Sequence, residues 1–153
     1  MIVRAFLVSM LVTTSVGCTA DNDEAPVSEA EIETEIGWTA LSAMDVKSGK
    51  KPDSLTKTLE NPIRIHGYGV AVEFNENGVS SFLLVPDASF CVHVPPPPPN
   101  QIVLVELKTP IHWRLLESGI WLTGTLDVER QESEFGGFMY KMKKLVSIER
   151  AEW

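Results

Sequence analysis

The sequence predicts a mainly β domain, a small antiparallel barrel or sandwich, and three observations predict it. Short segments alternate apolar and polar residues with period two from Ile63 onward. Glycine and asparagine punctuate them at close spacing, as in Asn75-Glu76-Asn77-Gly78 and Gly136-Gly137. Neither heptads nor a fixed-period repeat runs through the 153 residues, a length that suits one domain.

The chain begins with a different grammar. Arg4 precedes a twelve-residue apolar run, Ala5 to Val16, and Gly17-Cys18 follows. As a helix that run spans about 18 Å, short of the ~30 Å hydrocarbon core, so a signal peptide over residues 1–17 is expected. Gly17-Cys18 resembles the end of a bacterial lipobox, in which Cys18 is the lipidated residue; Ser15 stands where leucine is usual. Ordinary cleavage after Ala20 is the alternative. Thr19 after Cys18 leans, by the sorting pattern of enteric lipoproteins, towards the outer membrane. Both cleavages predict export to the periplasm.

Residues 18–36 read as an acidic flexible tether. Seven acids and no base lie between Asp21 and Glu35, and the remainder, leader aside, carries fourteen acids against twelve bases. The net charge of −8 therefore belongs to the tail, and it argues against nucleic acid as a partner. In the oxidising compartment Cys91 has no partner cysteine in its own chain, since Cys18 is lipidated or removed. Such a thiol is buried, metal-bound or reactive.

The single β domain is expected over 37–153. Trp38 to Met44 can be a helical turn or a strand, and Ser48 to Lys57, with Gly49 and Pro52, reads as loop. Ile63 to Glu73 is a strand in which Gly67 and Gly69 suggest a bend or bulge. Val79 to Pro86, Phe90 to Val94, Gln101 to Leu107, Ile120 to Arg130 and Phe138 to Glu149 follow as strands. The glycine-bearing, "WLTGTLDVE" and "YKMKKLVSIE" strands resemble those of exported OB-type barrels, so the specific expectation is an OB-like barrel.

The chemistry concentrates at Cys91-Val92-His93-Val94, followed by Pro95, Pro96, Pro97, Pro98, Pro99, Asn100 and Gln101. Proline fixes φ near −65° and lacks an N–H, so the run is expected as a polyproline II rod of roughly 15 Å. On a strand, Phe90, Val92 and Val94 share one face, while Cys91 and His93 share the other, about 6.6 Å apart at the backbone. Thiolate and imidazole suit zinc or a copper ion. Two ligands do not complete a site; His66 is the leading third candidate, with His112, Asp87 and Glu106 behind it. The plain alternative is a buried Cys91 and a His93 bonded to a carbonyl that the prolines leave open. Pro95 to Gln101 could instead dock a partner. A thiol enzyme needs a base facing Cys91 and a group orienting that base, and neither is evident. H-E-x-x-H, C-x-x-C, G-x-S-x-G and P-loop patterns are absent.

The strings "GYGVAVE", "FLLVPD", "CVHVPPPPPNQIV" and "WLTGTL" together resemble an exported proteobacterial family known as domain of unknown function 3299, over roughly Trp38 to Ile148. The resemblance implies an exported or lipid-anchored protein. It also implies a setting beside ABC transporters concerned with zinc. The expectation is a periplasmic, membrane-tethered metal-binding accessory protein, not an enzyme, with Cys91 and His93 as ligands. The alternative is a metal-free adaptor docking through the proline-rich edge.

Overall fold

The computed structural model describes residues 34–89, 97–131 and 137–152. Within them, six strands run as β1 (Thr34–Glu35), β2 (Ile63–Asn75), β3 (Gly78–Val85), β4 (Val103–Ile111), β5 (Ile120–Gln131) and β6 (Phe138–Arg150). Three short helices accompany them: α1 (Trp38–Ser42), α2 (Asp53–Leu59) and α3 (Arg114–Glu117). The sheet order is β1-β2-β3-β4-β6-β5, and β2 also pairs with β5. That last pairing closes the sheet, so β2 to β6 form a five-stranded OB-like barrel.

The inward positions explain why the sheet curls. Ile63 and Ile65 of β2, Phe82 and Leu84 of β3, Val103 and Val105 of β4, and Ile120 and Leu122 of β5 alternate at 0 % exposure. Each such side chain contributes about 1.5–3 kcal/mol by leaving water. Tyr140 and Met142 complete this interior from β6, and Leu41 and Met44 join it from the α1 region. A second, smaller cluster of Leu83, Val85, Ile102 and Phe138 lies apart from it, with Tyr68, Val70, Val72 and Leu104 packed alongside.

The structure corrects several expectations. The barrel is not wholly antiparallel: β4 pairs β6 in parallel, as does β1 with β2. The stretch expected as loop contains α2, started by extended Pro52 and holding Leu55 in the core. Register shifts on β2 fall between Ala71 and Phe74, not at Gly67 or Gly69. The two glycines answer a different need. A Cβ on Gly67 would lie 2.7 Å from the Val85 carbonyl oxygen and 3.0 Å from the Trp38 ring, and one on Gly69 would press into Leu116 of α3. Gly78 closes the β2–β3 turn at φ +129°, which only glycine adopts readily.

The folded unit also begins earlier than Gly37. Ile36 is buried at 5 %, and its N–H donates to the Arg64 carbonyl at 2.9 Å. The strand expected at Phe90 to Val94 lies outside the described residues, as do residues 1–33 with the leader. Among the described residues no helix is long and apolar enough to cross a membrane.

Candidate functional site

Residues 86–102 join β3 to β4, which are hydrogen-bonded neighbours. Two to five residues suffice for such a hairpin, so this connection carries chain for some other purpose. Its returning half is well fixed. Pro97 is buried; Pro98 is exposed, with φ −61° and ψ 148°, a polyproline II conformation. The expected rod does not extend to Pro99, which opens a single 3-10 turn through Gln101. Proline's fixed φ suits the first position of such a turn equally well. Gln101 N–H donates to the Pro98 carbonyl at 2.8 Å, and Gln101 is half-buried.

Asn100, expected among the docking residues, turns inward and is 7 % exposed. Its Nδ2 donates to the carbonyls of Ser42 at 2.8 Å and Met44 at 2.9 Å. Tyr140 Oη donates to the Leu41 carbonyl at 2.7 Å. A helix end leaves carbonyls without intrahelical donors, and a buried orphan is costly. Asn100 and Tyr140 supply those donors at and just after the end of α1, so the 3-10 turn that follows Pro98 is pinned to the core.

His66 occupies the outward face of β2, in line with Arg64 and Tyr68, while Ile63, Ile65 and Gly67 face in. Its ring centroid is 5.1 Å from Trp121, its cross-strand partner on β5, and 5.6 Å from Tyr68 at 79°. The Arg64 guanidinium lies 4.5 Å over the Trp121 ring and bonds the Glu149 carboxylate at 3.0 Å. Burial lowers the His66 pKa, which favours the neutral ring. Tyr68 is paired with Val85, the last residue of β3. His66, two residues further along that face of β2, lies past the end of the β2–β3 pairing.

The other candidates scatter. Asp87 is exposed, and hydrogen bonds from Ser89 hold its carboxyl below the usual range. Glu106 pairs with Lys141 at 2.8 Å. His112 accepts the Arg114 N–H at 3.2 Å and stacks on Trp113. Among the described residues no three His, Cys, Asp or Glu side chains gather as a metal site. Cys18, Cys91, His93, Pro95 and Pro96 lie outside the described residues. Reading the sequence missed the inward role of Asn100 and the Trp121 partner of His66. The alternation of Arg64, His66 and Tyr68 was visible; which strand faced them was not.

Comparison with known proteins agrees on this fold. A family model described as "Protein of unknown function (DUF3299)" matches residues 19–149. The crystal structure of a DUF3299 family protein from Pseudomonas aeruginosa PAO1 is 27 % identical, with a TM-score of 0.62, covering 80 % of this chain and 98 % of that one. No curated protein matches.

Proposed function

Since the chain belongs to the DUF3299 family, we propose that it is an exported binding module, not an enzyme, which holds a soft metal ion for an envelope transport system. Cys91 supplies a thiolate and His93 an imidazole, a pair that suits zinc or copper. His66 is the third ligand we favour, because it lies on the outward face of β2 just past the end of the β2–β3 pairing, and burial favours its neutral form. In this reading Cys18 carries a lipid that holds the barrel at the periplasmic face of a membrane, the outer one by preference, and an ABC transporter component is the partner.

One observation carries the reading most. Asn100 binds the Ser42 and Met44 carbonyls from within the core. A segment needed only to link two adjacent strands would not require so firm an anchorage. A segment that must present two ligands in fixed geometry does. The test is metal analysis of the purified protein beside Cys91→Ser. Near-equimolar zinc or copper in the native chain, lost in the variant, is the expected result; equal and trace metal in both overturns it.

The exposure of Pro98 in a polyproline II conformation favours a second reading, a metal-free adaptor that docks a membrane complex through this edge. Substituting Pro98 by Ala then weakens partner capture, while metal content stays at trace level throughout.

A further inference from the structure

The turn between β2 and β3 consists of Glu76 and Asn77, and Gly78 opens the returning strand. Asn75 Oδ1 accepts the Asn77 N–H at 2.8 Å, which fixes the turn locally. Position 78 is held to glycine, since its φ is +129° and a Cβ there would meet the Ile111 carbonyl oxygen. Packing against β4 thus forces glycine to follow an asparagine. The Asn77 side chain is exposed, and no described residue bonds its amide.

An asparagine amide is open to attack by the main-chain nitrogen of the next residue, because both groups lie in one chain and close a five-membered ring. A side chain on that next residue hinders the approach, and glycine has none. We infer that Asn77 is a site of spontaneous deamidation, with water as co-reactant, whose isoaspartyl product loosens the β2–β3 hairpin. The Gly78 nitrogen, once its proton passes to hydroxide, bonds to Asn77 Cγ. The Cγ–Nδ2 bond breaks and ammonia leaves. Water then opens the cyclic imide at either carbonyl, giving aspartate or isoaspartate, so the overall change is hydrolysis.

The other described asparagines are each excluded by their surroundings. Asn61 precedes Pro62, which has no N–H to give up. Asn75 is followed by Glu76, whose side chain hinders the approach, and its Oδ1 already holds the Asn77 N–H. Asn100 is buried at 7 %, its Nδ2 donates to the Ser42 and Met44 carbonyls, and the Gln101 N–H is taken by Pro98.

The isoaspartyl product routes the chain through the side-chain carbons, so the turn becomes one backbone atom longer. The rungs beyond it leave little slack. Asn75 pairs with Gly78 and Phe74 with Val79, while Val79, at 0 % exposure in the core, pairs in turn with Ile111. Sliding β3 to absorb the extra atom would drag Val79 out of register. The aspartyl product keeps the backbone as it was and adds only a charge beside Glu76. This reaction is independent of the metal reading and goes beyond it.

Ageing the full chain tests it, in native buffer at pH 7 and pH 8.5, beside the same chain unfolded in guanidinium chloride. Peptide mapping follows the amide-to-acid mass gain at each asparagine and separates aspartate from isoaspartate. The native chain should gain it at Asn77 ahead of Asn61, Asn75 and Asn100, and faster at the higher pH. Asn77→Gln, whose longer side chain would have to close a larger ring, should be spared at that position. The urea midpoint of the aged protein should fall below those of the fresh protein and of Asn77→Asp, which carries the charge without the longer backbone. If Asn77 survives in the native chain while the unfolded chain loses it, the hairpin protects the amide and the inference is overturned. Conversion of another described asparagine first, or an aged protein rich in isoaspartate yet as stable as Asn77→Asp, also overturns it.

Discussion

The indole N–H of Trp38 donates to the main-chain carbonyl of His66 at 2.6 Å. The bond falls where β2 has lost its β3 partner, since that pairing ends at Tyr68 and Val85. Strand β1 covers only Ile63 and Arg64, and Ile36 takes the Arg64 carbonyl. A side chain thus fills the gap between two strands along one edge, and Gly67 leaves room for its ring.

Trp38→Phe keeps most of the ring and removes the donor. A part-buried carbonyl left unpaired costs about 1–3 kcal/mol, so the variant should lose about that much in urea unfolding. The slope of the unfolding curve should not change.

Gly124→Ala should be far worse. A Cβ there would run into the Lys144 carbonyl oxygen, a main-chain atom of the paired strand, and lie 2.6 Å from Met142 Sδ. The flexible Met142 side chain can shift, but the main-chain oxygen cannot give without opening the β5–β6 ladder. We expect a loss of about 3 kcal/mol or more, read as a fall in urea midpoint or as failure to fold.

Asn100→Asp replaces an amide donor by a carboxylate facing the carbonyls of Ser42 and Met44. Like-signed partners and burial raise that new carboxyl's pKa in the folded state. The folded variant then holds its proton at a pH where the unfolded chain has lost it. Its deficit relative to the native sequence should therefore be large near pH 7 and shrink as pH falls towards about 4. Urea midpoints of both proteins across that range check the sign.

Tyr140→Phe has an alkaline signature. The phenol is buried at 0 % exposure and donates to Leu41, and burial pushes its pKa well above the ordinary value of 10.0. The unfolded chain binds fewer protons than the folded one once pH passes 10, so native stability falls there. Near neutrality the variant should be less stable by about 1 kcal/mol. That gap should narrow above pH 10, where the variant is spared the loss.

The strands were legible because their pattern is a local property: Ile63 and Ile65 alternate with polar neighbours, and Phe82 to Val85 is a short apolar run. Barrel closure was not, because the parallel pairing of Val103 with Tyr140 leaves no sign near either residue. Helix α2 was missed although Leu55 and Leu59 stand four apart behind Pro52; polar neighbours and proline made the stretch look like loop. The glycines of β2 were seen as special for the wrong reason. Their lack of a side chain admits Trp38 and Leu116, contacts that only the folded chain creates. At the site, the types of Cys91, His93 and His66 suggested a chemistry from sequence. The inward turn of Asn100 depended on where α1 ends.

Strand β1 runs parallel to β2, and the chain arrives at it from residues 1–33. A pull directed back along that strand would strain its rungs, the Ile36 bond and the Trp38 indole bond simultaneously, in shear, instead of peeling them one after another. The N-terminal attachment thus rests on more than its two-residue strand, sharing any such pull with the Ile36 and Trp38 bonds.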